Sequence, residues 1–254
     1  VCGIWTDGRN PKGVAAIYRI KGEDRGERPL GTILIADQFA VMIDGERIKQ
    51  SVKSLMMVPD LLASRLGSMA FIRVPIPDHV GTSLPDRLVS RDGGGGYWLQ
   101  NWMPEGCRAL EGWVESIAAR GIDTPAATSM NVSIEPEITT PAEGEAFCHE
   151  HDIPMLLVDK ESPQRAQGSF PILLVDDDGI HVIREGHFPA ELFTLLLARW
   201  EVDLSSCEPG NYPLVSTPGW VIGDDEVPER MRARLLRILD GPPEENRNTD
   251  LNGE

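Results

Sequence analysis

Apolar residues recur at helical spacing in three early stretches of the chain. Leu110, Trp113, Val114, Ile117 and Ala118 form the clearest stripe and predict a core-facing helix over 106–120. Val14, Ile17 and Tyr18, then Lys21, predict a helix over 13–21 that Gly22 ends. Val52, Leu55 and Met56 share one side of a predicted helix over 48–57. Short apolar runs predict strands over 30–36, 69–74, 155–158 and 172–175. Residues 180–183 read as the hairpin partner of 172–175, across the turn Asp176-Asp177-Asp178-Gly179. A further strand over 124–128 delivers Ser129 and Asn131 at its end. Two later helices are predicted, over 191–200 and over 228–239, the second aligning Met231, Leu235 and Ile238. Residues 76–105 are rich in Gly and Pro and read as an irregular insertion. From Gly241 onward little can be buried, which predicts disorder.

Interleaved strands and helices predict an α/β protein with a twisted mixed sheet flanked by helices. The expected organisation is a domain over 1–200, an extension with one helix over 201–240 and a disordered tail over 241–254. A chain of 254 residues is long enough to bury a full core. No apolar run approaches the ~20 residues that span a bilayer, so no membrane association is expected. Cys2, Cys107, Cys148 and Cys207 are widely spaced, without a Cys-x-x-Cys pair, which fits a reducing cytoplasm. Asp and Glu outnumber Lys and Arg by 40 to 24, a net charge of -16. Such a field repels a phosphate backbone, so direct nucleic-acid binding is not expected. A pocket for a small anionic nucleotide needs only a few converging cations.

Several polar residues could supply that pocket. Lys21 sits where a helix meets a glycine and can act as a point charge on phosphate oxygens; taken alone, it reads as a solvated lysine favourable to the helix dipole. Ser129 and Asn131 alternate with Met130, so both side chains point the same way on an extended segment, although Ser and Asn also dominate turns. Arg73, flanked by apolar residues, requires an anionic partner, either a ligand or a protein carboxylate. His149-Glu150-His151 lacks a third metal partner and reads as a solvated loop. Asp176-Asp177-Asp178-Gly179 lacks the closing Glu of a calcium loop. Gly93-Gly94-Gly95-Gly96 lacks the Lys-Ser or Lys-Thr of a P-loop and reads as flexible.

Four segments taken in order carry a resemblance: Ala16-Ile17-Tyr18-Arg19-Ile20-Lys21-Gly22, Phe71-Ile72-Arg73-Val74-Pro75, Thr128-Ser129-Met130-Asn131, and Ser169-Phe170-Pro171-Ile172 with Ile183-Arg184-Glu185-Gly186. Their order and spacing over residues 1–190 resemble the YrdC-like domain family of threonylcarbamoyl-AMP synthases. In that family a Lys-x-Arg pair and a Ser-x-Asn pair face one nucleotide pocket, in the concavity of a strongly twisted sheet. The resemblance implies a nucleotidyltransferase that combines L-threonine, bicarbonate and ATP, with Mg²⁺, into threonylcarbamoyl-AMP and pyrophosphate. It implies handover of the product to a separate tRNA-modifying transferase complex. It implies Lys21, Ser129 and Asn131 as catalytic residues, and Arg25, Arg73, Ser169 and Arg184 as further nucleotide contacts.

The chain departs from the family at identifiable places. Val1-Cys2-Gly3-Ile4 resembles the tail of the family's opening run with cysteine in place of tyrosine, so the family's first strand is expected to be missing. After Lys21 the family has Lys-Gly-Arg-Pro, whereas this chain has Gly22-Glu23-Asp24-Arg25, leaving Arg25 to supply the guanidinium. The Pro-Gly-Pro-Leu-Thr segment usual before the arginine strand is not visible. These departures keep open the alternative of a YrdC-like module that binds a nucleotide or RNA without catalysing a reaction.

Overall fold

A computed structural model of the chain describes residues 3–105, 108–133, 135–158 and 170–186. Its strands are β1 (Gly3–Asp7), β2 (Gly31–Ile33), β3 (Phe71–Ile76), β4 (Val89–Arg91), β5 (Tyr97–Trp102), β6 (Pro125–Ser129), β7 (Ile172–Val175) and β8 (Ile180–Arg184). Its helices are α1 (Pro11–Lys21), α2 (Ala36–Ala40), α3 (Gln50–Met57), α4 (Pro59–Leu66), α5 (Asp78–Ser83), α6 (Arg108–Ala118) and α7 (Pro141–Glu150). All the strands join one mixed sheet in the order β1-β6-β2-β5-β3-β7-β8, with β4 beside β5. β2 runs parallel to β5 and β3 parallel to β7, while the other pairs are antiparallel.

Alternation along the strands gives each face its own cover. Ile72, Val74, Leu99, Leu173 and Val175 point into the main core, beneath Phe39, Val52, Met56 and Leu62 of α2, α3 and α4. On the same face Ile4 and Ala126 meet Val14 and Ile17 of α1 and Phe147 of α7. α6 covers the other face, where Val114 packs on Ile33 and Ala127, with Trp5 and Trp113 edge to face at 4.6 Å. The apolar stripe of α6 and the face predicted for 48–57 are therefore both core-facing. The β7–β8 hairpin also forms as expected: the Asp176 side chain accepts from the Asp178 and Gly179 amides and closes its turn.

Other expectations are corrected. The segment 76–105 is not an irregular insertion, because it holds α5, β4 and β5, and β5 pairs along its whole length with β3. Its glycine run is held rather than flexible. Asp92 accepts from the amides of Gly94 and Gly96 and from Arg47 and Trp98, and a Cβ at Gly96 would lie 2.6 Å from the Arg47 guanidinium. Residues 155–158 form no strand, and Met155 and Leu157 are exposed. His149 and Glu150 end α7 rather than lying in a loop. At the amino-terminal side Gly3–Asp7 is an edge strand that the apolar pattern does not mark. The predicted helices over 191–200 and 228–239 and the tail from 241 lie outside the described residues. Among the described residues no helix is long and apolar enough to cross a membrane.

Candidate functional site

α1 begins with Asn10, whose side chain accepts from the Lys12 and Gly13 amides, and with Pro11 in its first turn. It ends at Gly22, whose φ of 74° and ψ of -177° suit glycine almost alone. That ending leaves Lys21 aimed at the carboxy-terminal end of β6. Lys21 is buried, with 3% of its surface exposed. Its Nζ lies 2.6 Å from Asn131 Oδ1, 2.7 Å from Asn131 O, 3.0 Å from Ser129 O and 3.3 Å from Ser129 Oγ. Four oxygens share three ammonium hydrogens, so the protein itself saturates this cation.

The Ser-x-Asn segment is tied further. Ser129 Oγ donates to Asn131 Oδ1 at 2.7 Å, and Asn131 Nδ2 donates to Glu135 O at 2.6 Å. The Ser133 amide donates to Lys21 O, and the Ile138 amide donates to Met130 O. Residues 131–133 and 135–138 thus lie folded back over the strand end. Burial lowers the Lys21 ammonium to about 8, with Arg25 and Arg28 acting in the same direction and Glu137 opposing them.

Glu23–Arg25 forms a 3-10 turn that buries Arg25 and leaves Glu23 exposed. Arg25 donates to Thr128 Oγ1 at 3.1 Å and to Pro29 O at 2.8 Å, with its guanidinium 5.1 Å from the centre of the Tyr18 ring. Arg28, exposed, donates to Arg25 O and Asp24 O. Arg184, at the end of β8, donates from Nη2 to Phe170 O at 2.7 Å, and its buried Nε has no hydrogen-bond partner. The Nε of Arg25 is likewise buried without one. Burial lowers the Arg184 guanidinium from its ordinary value, Glu137 raises it and Arg28 lowers it.

Of the residues that sequence reasoning singled out, the structure joins Lys21, Ser129 and Asn131 directly and places Arg25 beside them through Thr128. Arg184 belongs to the same charged neighbourhood. Arg73 has other company: it donates to Ser90 Oγ at 2.7 Å and lies 5.9 Å from the centre of the Trp98 ring. Ser169 lies outside the described residues. Sequence reasoning missed Arg28 and Glu137. Arg28 could have been noticed as a further cation in the short stretch after Lys21, whereas nothing in the sequence distinguishes Glu137 from its acidic neighbours.

Lys21, Ser129 and Asn131 thus form one hydrogen-bonded cluster with Arg25 beside it, an arrangement of cation, hydroxyl and amide that can take an anion.

The mixed sheet with its flanking helices defines the class of fold as that of a Sua5-like α/β domain. A solved structure similar to it is that of a doubly substituted Sua5 from P. abyssi, matched with a TM-score of 0.51 and 17% identity over 76% of this chain. The match spans 52% of that Sua5 chain, about half its length, and at this identity it shows the fold alone. No family model matches the sequence, and no curated protein does.

Proposed function

We propose that the chain is a nucleotidyltransferase of the threonylcarbamoyl-AMP synthase type, forming threonylcarbamoyl-adenylate and pyrophosphate from L-threonine, bicarbonate and ATP. The observation that carries this reading is the Lys21–Ser129–Asn131 network with Arg25 beside it, on a fold shared with Sua5. In the reaction the threonine amine adds to carbon dioxide derived from bicarbonate. The resulting carbamate oxygen attacks the α-phosphorus, and the bond to the β-phosphate oxygen breaks to release pyrophosphate. The chemistry asks for positioning and for neutralisation of the departing charge rather than for a nucleophilic side chain. Arg28 and Arg184 are the cations suited to the pyrophosphate, because Lys21 is saturated by protein oxygens and Arg25 is buried, whereas Arg28 is exposed. Lys21 holds Ser129 and Asn131, which face the reacting groups. Magnesium bound with the nucleotide supplies further charge neutralisation. On this reading the product serves tRNA threonylcarbamoyladenosine modification through a separate transferase complex, and the protein acts in the cytoplasm.

A second reading is a YrdC-like module that binds a nucleotide without turning it over. The saturation of Lys21 by protein oxygens and the carboxylate of Glu137 among the cations favour it. ATP–pyrophosphate exchange separates the two. Exchange that requires both threonine and bicarbonate is expected of the enzyme; ATP binding without exchange would assign the module.

A further inference from the structure

Tyr18, in the last turns of α1, gathers cations from two distant stretches of the chain. Its hydroxyl donates to Arg28 O at 2.6 Å, and the Arg25 guanidinium lies 5.1 Å from the centre of its ring. The Arg87 guanidinium lies 4.6 Å from the same centre. Arg87 arrives on the turn before β4, where its carbonyl accepts from the Leu30 amide at 2.8 Å and so holds that turn beside the chain entering β2. Arg28 is fixed in place by donating to the carbonyls of Arg25 and Asp24, each at 2.9 Å. Arg25 is buried, while Arg28 and Arg87 are exposed. The company of these arginines is neutral: a hydroxyl, backbone carbonyls and an aromatic ring. Among the described residues no carboxylate forms an ion pair with any of them, in a chain where Asp and Glu outnumber Lys and Arg by 40 to 24. Like charges crowded on one ring repel one another, and the ring offsets only about 0.5–1 kcal/mol for an exposed cation. An anion between them would remove the conflict.

We propose that Arg87, with Arg28 and the ring of Tyr18, forms a phosphate-binding subsite that takes the polyphosphate tail of the nucleotide. The inference rests on the nucleotidyltransferase reading above for its ligand and adds to that reading a residue from the turn before β4. A guanidinium resting on an aromatic ring spends none of its N–H donors there, and its planar fork matches two oxygens of one phosphate. Arg87 is exposed and held in that state by the ring, so it is oriented before the anion arrives. Arg25, buried, joins the subsite to the Lys21–Ser129–Asn131 cluster through Thr128 Oγ1, the residue just before Ser129. A polyphosphate lying across both has its reacting end at Ser129 and Asn131 and its tail on Arg28 and Arg87.

Calorimetric titration of the full chain with inorganic tripolyphosphate tests this without any assay of activity. Arg87→Gln should weaken binding by about tenfold or more, the usual effect of removing one charged contact to phosphate. Arg87→Lys keeps the charge but not the fork and should recover only part of the loss. Arg120, exposed just past α6 on the opposite face of the sheet, supplies the control: Arg120→Gln should bind like the parent. Arg87→Gln binding that matches the parent overturns the inference, and so does an equal loss in Arg120→Gln, which would mean attraction by overall charge. A parent that binds no tripolyphosphate overturns it as well. A short single-stranded RNA is titrated in parallel and should bind more weakly than tripolyphosphate. Tighter RNA binding that Arg87→Gln abolishes would overturn the assignment to a nucleotide tail. The subsite and the reaction fail separately. Exchange that requires threonine and bicarbonate, beside tripolyphosphate binding that ignores Arg87, rejects the subsite alone. Tripolyphosphate binding that depends on Arg87, without exchange, upholds the subsite and rejects the reaction.

Discussion

Lys21 and Asn131, 110 residues apart, are joined twice, with Nζ 2.6 Å from the side-chain oxygen and 2.7 Å from the backbone oxygen of Asn131. The lysine thus clips the end of α1 to the segment that follows β6. Lys21→Met keeps most of the side-chain volume but leaves the oxygens of Ser129 and Asn131 without their shared donor. Orphaning a buried acceptor costs about 1–3 kcal/mol. Urea denaturation should show a loss of at least that size, and the fall in polyphosphate affinity should exceed what the loss of one distant charge explains. A Met variant as stable as the parent would show that the buried Lys21 network contributes no net stability.

The buried ammonium also predicts opposite pH trends for stability and for binding. Lys21 is lowered to about 8 in the folded chain, against about 10.4 for a free lysine. Between those values the unfolded chain holds a proton that the folded chain has released, so stability rises with pH through this window. Below it, the folded state bears the cost of a buried charge. The parent should therefore gain stability relative to Lys21→Met from pH 8 to about 10. Anion affinity should fall over the same rise, because the pocket loses a positive charge. Parallel melting and binding series on both proteins would check the pair of trends.

Gly22 links that clip to the turn carrying Arg25. Its backbone, at φ 74° and ψ -177°, lies in a region that side chains avoid. Gly22→Ala places no atom in a serious clash, since its nearest neighbour is a Val132 methyl at 3.9 Å. Backbone strain is therefore the whole effect. About 1–3 kcal/mol of destabilisation is expected, with the helical content of α1 retained. A neutral substitution, read by the same denaturant midpoint, would show that the turn relaxes into another conformation.

The parts of this architecture that were legible in the sequence share a physical reason. α1, α6 and the β7–β8 hairpin announce themselves through local periodicity and a turn, and each forms close to where the pattern puts it. The Ser-x-Asn segment was legible because a strand pattern ended on it. β5 was not, although its residues alternate buried and half-buried, because glycines precede it and Gln100 and Asn101 interrupt its apolar run. Asn101 is buried only because Thr32 and both backbone groups of Leu34 satisfy it, an agreement between strands that no local window contains. The reverse error at 155–158 is an apolar run with no strand to pair it. Arg28 and Glu137 were missed because their part depends on how two loops fold over the same strand end.

Asn101 fastens β5 to the end of β2. It is fully buried, accepting from Thr32 Oγ1 at 2.9 Å and from the Leu34 amide at 2.8 Å, and donating to Leu34 O at 3.1 Å. Asn101→Leu has the right size but strands the amide and carbonyl of Leu34, just where the chain leaves β2. A loss of about 2–4 kcal/mol is expected from stranding those buried groups together. The site lies elsewhere in the sheet, so residual folded protein should keep the parent's polyphosphate affinity. A fall in affinity with no loss of stability would contradict the structural role.

Arg25 and Arg28 are three residues apart but should fail in different ways. Arg25 is buried, joins the 3-10 turn to Thr128 and Pro29, and leans on Tyr18. Arg25→Ala removes donors from inside the fold and should lower the urea midpoint as well as binding. Arg28 is exposed, and the backbone oxygens it caps remain within reach of water. Arg28→Ala should change stability by no more than about 0.5 kcal/mol. Its guanidinium nevertheless acts on Lys21, Arg25 and Arg184, so it stands within the field a polyanion would enter. Losing one charged contact to phosphate costs on the order of 1.5–3 kcal/mol, a tenfold or greater drop in affinity. The drop should shrink as salt is raised, because an exposed charge is screened over about 10 Å at 0.1 M ionic strength. Titrations at low and high salt, beside denaturation of both variants, would test this division. If Arg28→Ala bound tripolyphosphate like the parent at low salt, the anion would have to enter from the Arg184 side alone.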